Sequence, residues 1–298
     1  MRTILFVGTN LAILLALALA LVVLQALGVL PPMRSQSFIA IIGFALVFGF
    51  GGAFIALLMS KRMALMRTGA QIIDTPRSEV ERWLLQTVHG HADAAGIDHP
   101  DVCIYQSSDM NAFATGARRN DALVAVSSGL LQGMTREEAS AVLGHEITHA
   151  ANGDMVTMTL LQGVLNTFVI VLAQVAANLM SGGDDRRRSG FGGSFLVYML
   201  AQAVLGWCAS IIICWFSRWR EFRADAGGAE LTKPQDMANA LRRLKTHEQP
   251  DLPASLQAFG IFGLGKSGLA ALFATHPPLD VRIARLEAQS RFEGKSFN

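Results

Sequence analysis

Residues 135–153 read TREEASAVLGHEITHAANG, and this stretch decides both the fold of its neighbourhood and the chemistry. Thr135 followed by Glu138 is a capping box, a signature that opens a helix. Ala139, Val142, Leu143 and Ile147 then mark a buried helical face, and no breaker appears before Gly153. On that helix His145 and His149 stand one turn apart on the same side, so both imidazoles can reach a single ion at about 2.0–2.1 Å. Glu146 projects beside them, where its carboxylate can take a proton from water that a metal has acidified. The plainer reading is a surface helix with two unrelated histidines and a solvated glutamate. Chance alone yields this pentad in on the order of 1 in 100 chains of this length, and the capped helical setting favours the metal site further.

Around this helix the composition is uneven. Of 298 residues, 51% are hydrophobic and only 16% charged, against about a quarter charged in an ordinary soluble domain. The deficit is local: residues 3–33, 35–60, 155–183 and 189–217 contain no Asp, Glu, Lys or Arg. The rest of the chain holds all 25 basic and 23 acidic residues, which is normal globular composition. A fully soluble single domain and a disordered chain are both excluded, and too much is soluble-like for a transporter made only of helices. Ile4 to Leu30 is far longer than a signal-peptide core and long enough to span hydrocarbon. Phe38 to Met59 forms a second span, with Gly43, Gly49, Gly51 and Gly52 as a small-residue face for close helix packing. With Pro31-Pro32 between them, the two spans form a hairpin. Lys61, Arg62 and Arg67 follow at once and mark that side as cytoplasmic.

A catalytic zinc needs a third protein ligand. The positions where one extended motif would carry Gly and a third His are Asn152 and Met155, so that variant is excluded. After Asp154 the next acidic residues are Asp184-Asp185, between two apolar windows, and then Glu221 and Asp225. If those windows cross, Asp184 and Asp185 lie on the far side, which leaves Glu221 as the third ligand. Asp225, one turn on, is placed to orient a ligating histidine. Read alone, Glu221 between Arg220 and Arg223 would be a solvated carboxylate. His145 and Glu221 share an ion only if both intervening windows cross the membrane or neither does.

Elsewhere, Thr75-Pro76 predicts a helix whose buried face carries Val80, Trp83, Leu84 and Val88 and which ends at Gly96. Val102–Gln106, Asn111–Thr115 and Ala122–Ser127 suggest a small sheet. Pro234 and Pro277-Pro278 introduce two later helices. His89, His91, His99 and His247 read as solvated or capping. A net charge of +2 with a pI near 8.6 gives no case for nucleic acid. Cys103, Cys208 and Cys214 have no metal-like spacing and do not suggest a disulfide scaffold.

The sequence resembles the M48 family of membrane zinc metalloproteases over nearly its whole length. The likeness is carried by His145-Glu146-Ile147-Thr148-His149 with Ala150-Ala151-Asn152-Gly153-Asp154 after it, and by the Glu221…Asp225 pair with Ser217-Arg218 leading into it. Asn111-Ala112-Phe113-Ala114-Thr115-Gly116, Thr275-His276-Pro277-Pro278 and the four apolar windows complete it. It implies a mainly α membrane protein, with four transmembrane helices and an α+β gluzincin-type metalloprotease domain containing a small sheet. The expected parts are a membrane hairpin (1–60), a first catalytic part (61–154), a second membrane hairpin (155–217) and a second catalytic part (218–298). The resemblance implies one Zn2+ per chain held by His145, His149 and Glu221, with Glu146 as general base. It further implies a bacterial inner-membrane endopeptidase with a cytoplasmic catalytic domain that cuts misfolded or damaged membrane proteins, with self-cleavage a further expectation. Asn111, Ala112, Phe113 and Ala114 become an edge strand that would hold substrate by strand addition, or else an ordinary strand start. His276 either donates to a developing oxyanion or caps the last helix.

Two other readings stay open at this stage. One is an intramembrane protease of the site-2 type, against which stand the charged residues on both sides of the pentad. The other is a membrane adaptor whose metal site is structural. Arg186-Arg187-Arg188 falls in the loop assigned outside, against the positive-inside rule, so 155–183 and 189–217 remain either full spans or a hairpin that enters without crossing.

Overall fold

The computed structural model describes residues 15, 18–28, 36–180, 191–247 and 275–293. They are mostly helical and fall into two compact units: one from residues up to Leu57 with Val156–Ile213, the other from Leu58–Met155 with the chain from Cys214 onward.

The first unit is built on long apolar helices. Among the described residues, three helices are long and apolar enough to cross a membrane: α1 (Gln36–Thr68), α5 (Asp154–Met180) and α6 (Phe191–Leu231). Most of the predicted first span lies outside the described residues, although residues 18–26 are helical. Within this unit α1 packs closely on α5 at Gly49, where a Cβ would fall 2.5 Å from Thr167 Oγ1. Asn166 Nδ2 donates to the Gly49 carbonyl at 3.2 Å, and Thr167 is fully buried. The small-residue face is narrower than its sequence suggests: a Cβ at Gly43, Gly51 or Gly52 would meet nothing within 4 Å.

The second unit has a hydrophobic core around three strands. β1 (Asp101–Tyr105) pairs parallel with β3 (Asp121–Ser127), and β2 (Ala112–Arg118) pairs antiparallel with β3, giving the order β1-β3-β2. β3 is therefore central, with Leu123 to Ser127 fully buried, and β2 is an edge. Register places Ala112 opposite Val126 and Ala114 opposite Val124.

Helices cover this sheet. α2 (Glu79–Ala95) starts later than the Thr75-Pro76 signal, because the Ser78 side chain accepts from the Glu81 N–H and Gly96 closes the helix at φ +67°. Its buried face is Leu84, Val88, His91, Ala92 and Ala95; Val80 is exposed. His91 is not solvated as expected: it is buried, with Nε2 against the Ser140 carbonyl at 3.1 Å. α3 (Ser128–Gly133) leads into α4 (Arg136–Asn152), whose capping box between Thr135 and Glu138 is fully formed.

α4 is the centre of the unit. Leu143 and Ile147 are fully buried against a core that includes Val88, Val124, Met237 and Leu241, with α7 (Pro234–His247) packed on α4 and α8 (Leu279–Glu293) packed on α7. Each such leucine or isoleucine contributes about 1.5–3 kcal/mol by leaving water. The His145–His149 pentad therefore sits on a helix that is buried along most of its length.

Candidate metal centre

The pentad lies in the last two turns of α4, which capping and core packing hold rigid. His145 and His149 are both buried, and their rings stand nearly perpendicular at 86°. Their Nε2 atoms approach to 3.2 Å. Glu221, in the C-terminal part of the 41-residue α6, completes the group: Oε1 is 3.3 Å from His149 Nε2 and Oε2 is 3.5 Å from His145 Nε2.

Glu221 reaches α4 because the two helices cross on glycine. Gly228 lies against the backbone of His145, and Gly227 lies against the side chain of Thr148. The Thr148 hydroxyl is turned back onto the Gly144 carbonyl at 2.8 Å.

The residues fit a metal. Ligands about 2.0–2.1 Å from one ion at tetrahedral angles stand about 3.3 Å apart, against the observed 3.2, 3.3 and 3.5 Å. Two facing nitrogens and a carboxylate suit a borderline divalent ion. Glu221 Oε2 is buried and accepts no well-aligned hydrogen bond, although His276 Nδ1 lies 2.9 Å from it. Among the described residues, His145, His149 and Glu221 form the one group of three that could hold a metal.

The other ring nitrogens are set by carboxylates. Asp154 Oδ2 lies 2.6 Å from His149 Nδ1, which leaves its Nε2 lone pair for the shared point. Asp225 Oδ1 is 3.0 Å from His145 Nδ1, a close pairing without the alignment of a good hydrogen bond. Burial alone would drive both histidines neutral, but their carboxylates outweigh it in the metal-free chain. His149 is pushed up to about 10, by Asp154 and then Glu221, and His145 is raised by Asp225 and Glu221. Protons and metal thus compete for the same two nitrogens.

Glu146 reaches toward the sheet. Its Oε2 accepts the N–H of Ala114, on the edge strand β2, at 2.9 Å. Of the predicted substrate segment, Ala112, Phe113 and Ala114 are in β2, and Asn111 just precedes it with its carbonyl accepting the Ser127 N–H at 2.9 Å. His276 is 65% exposed, with Nδ1 2.9 Å from Glu221 Oε2.

Two residues that sequence reasoning passed over complete the surroundings. Asp154 follows Gly153, whose left-handed φ of +68° bends the chain back so that the carboxylate meets His149. Only that turn geometry signals it, since Asp154 looks like the first polar residue of the next helix. Arg282 on α8 is 6% exposed and holds Asp225 bidentately, Nε to Oδ2 at 2.8 Å and Nη2 to Oδ1 at 2.6 Å. Its Nη1 is 3.6 Å from Glu221 Oε2. Nothing local distinguishes Arg282 from the solvated arginines around it.

Residues 78–290 match the sequence profile of Peptidase family M48. The chain belongs to this family. As an M48 member it is similar to Protease HtpX of Xanthomonas euvesicatoria pv. vesicatoria (strain 85-10), 55% identical over 97% of this chain and 98% of that protein. It is also similar to Protease HtpX of Vibrio cholerae serotype O1 (strain M66-2), at 52% identity over 96% of this chain and 98% of that one. The crystal structure of S. mikatae Ste24p shares the fold, with a TM-score of 0.59 and 19% identity, covering 94% of this chain and 66% of that chain. This M48 chain is a membrane metalloprotease. A non-enzymatic adaptor is thereby set aside. The site-2 reading does not suit the structure either, since α4, which carries the pentad, is not among the three helices long and apolar enough to cross.

Proposed function

We propose that this chain is a zinc-dependent endopeptidase of the bacterial inner membrane, with four transmembrane spans and a gluzincin-type catalytic domain facing the cytoplasm. Its substrates are misfolded or damaged membrane proteins, and it is able to cut its own copies. The observation that carries this reading is the donor triangle of 3.2, 3.3 and 3.5 Å with Glu146 beside it. His145, His149 and Glu221 would hold one zinc per chain, and zinc bound there supplies Lewis acidity that acidifies water and polarises the scissile carbonyl. Glu146 takes the proton of the attacking water and passes it to the leaving amine. The Ala114 N–H, at 2.9 Å, holds one oxygen of that carboxylate and leaves the other for proton transfer. Asp225 and Asp154 orient the two histidines.

As an edge strand of the sheet, β2 offers the Asn111–Ala114 segment to an extended substrate backbone, a mode that selects unfolded conformation over sequence. This suits a quality-control protease. His276, exposed beside Glu221, donates toward the carbonyl oxygen as it gains charge.

The test is Glu146→Gln in the full-length protein in detergent. It should keep one zinc per chain and lose casein cleavage by at least 100-fold. Full activity, or loss of the metal, would overturn the assignment.

A further inference from the structure

The side of α6 that turns away from the metal donors carries a different chemistry. Trp215, Trp219 and Arg223 recur every four residues, with Phe222 beside them, on the face opposite Glu221 by helical spacing. Trp215 is 61% exposed and Trp219 42% exposed, although both are large apolar rings. The Arg223 guanidinium stacks over the Trp219 ring at 4.9 Å, and Arg285 from α8 lies over the Phe222 ring at 4.9 Å.

Among the described residues, neither Arg223 nor Arg285 pairs with a carboxylate. Arg220 and Arg282, on the same two helices, do: they lie against Asp154 and Asp225 respectively. The patch thus presents two guanidiniums over aromatic rings, each with N–H groups able to bind an anion. It sits where the charge-free stretch 189–217 gives way to Arg218, which is the level of a lipid–water interface on a crossing helix.

We propose that Trp215, Trp219, Phe222, Arg223 and Arg285 form a binding site for the phosphate headgroup of an anionic phospholipid. A guanidinium fork matches phosphate oxygens bidentately, and exposed tryptophans settle among headgroups. A soluble phosphate has no acyl chains to cover Trp215 and Trp219, so the geometry commits the site to lipid. The inference rests on α6 crossing the bilayer, as the proposed function requires.

Detergent-purified full-length protein is titrated with pyrene-labelled phosphatidylglycerol or phosphatidylcholine, read by energy transfer from its tryptophans. Transfer to phosphatidylcholine reports lipid contact of the helix alone, so its complete absence would count against the crossing, while the ratio of the two lipids reports the headgroup site. The wild type should prefer phosphatidylglycerol by about 25-fold. Arg223→Gln/Arg285→Gln, which keeps all four tryptophans, should lose about five-fold per arginine, with unchanged zinc content and melting temperature. Arg118→Gln/Arg119→Gln should keep the preference. Unlabelled short-chain phosphatidylglycerol should compete, and glycerol 3-phosphate at the same concentration should not. The proposal fails if the double variant keeps its preference, if the control pair loses as much, or if glycerol 3-phosphate displaces the lipid equally well.

Discussion

Gly228→Ala isolates the helix crossing that brings Glu221 to the histidines. A Cβ there would stand 2.9 Å from the His145 nitrogen, 3.2 Å from its Cα and 3.3 Å from the Ala141 carbonyl oxygen. All three are backbone atoms, so no rotamer change relieves the contact and α6 must withdraw from α4 by roughly 0.5 Å to regain ordinary separation. Overpacking of this kind costs about 1–3 kcal/mol, offset by the roughly 1 kcal/mol that alanine gains over glycine inside a helix. Net stability therefore falls by only about 0–2 kcal/mol. The metal site suffers more, because tolerated ligand distances vary by only about 0.2 Å, and a shift of this size costs on the order of 10–100-fold in affinity.

Gly144→Ala is the matched control. Its Cβ would meet Gly228 and Leu231 at 3.4–3.5 Å, which is ordinary contact. Zinc affinity measured by chelator competition, with the melting temperature of the metal-free protein alongside, separates the two effects. Gly228→Ala should lose affinity well beyond its loss of stability, and Gly144→Ala should keep wild-type affinity and melt no lower than the wild type, since alanine gains roughly 1 kcal/mol there with no clash to offset it. Wild-type affinity in Gly228→Ala, or equal damage in Gly144→Ala, would refute the claim that this glycine contact sets the donor triangle.

Three further outcomes follow from the surrounding contacts. Asp154→Asn weakens the 2.6 Å pairing that orients His149, so zinc affinity should drop about 10–100-fold with little change in global stability; an unchanged chelator titration would remove Asp154 from the site. Arg282→Met leaves Asp225 buried without its cation and should destabilise the protein by about 3–5 kcal/mol in thermal melts, and Arg282→Met combined with Asp225→Asn should cost less than the single change if the pair accounts for the loss. Burial holds His91 below its usual 6.5, so the folded protein keeps it neutral where the unfolded chain takes up a proton. Its contribution is complete above about pH 6.5 and declines as pH falls below that value, and His91→Gln should melt with a shallower dependence between pH 7.5 and 5.5.

What could be read from sequence follows the range of the interactions. The α4 helix was legible because every signal for it is local: the Thr135–Glu138 box, a stop at Gly153 and the four-residue spacing of the histidines. Strand positions came through to within a few residues, but the order β1-β3-β2 did not, since parallel pairing of Asp101 with Leu123 depends on partners 22 residues apart and leaves no mark on either strand. The glycines of α1 mislead for the same reason. Gly43, Gly49, Gly51 and Gly52 look alike in sequence, and only the facing Thr167 makes Gly49 the contact.

The same distinction explains why the donors of the site are easier to find than their supports. A ligand must offer a specific atom, which limits candidates to a few His and carboxylate positions, and between Asp154 and Glu221 the only acids are Asp184 and Asp185, in the loop between two apolar windows, which narrows them further. A supporting residue needs only charge and reach. Asp154 is adjacent in sequence but depends on one left-handed turn, and Arg282 is 57 residues from the Asp225 it holds. Yet these supports set up the donors: Asp154 pairs with His149 Nδ1 and leaves Nε2 facing the cluster, and Arg282, together with His145, holds the buried Asp225 carboxyl below its usual range. A chain with the pentad and Glu221 intact but lacking Asp154 and Arg282 should therefore retain the motif and bind zinc poorly. That makes the two supports, rather than the pentad, the sharper criterion for a working site in related sequences.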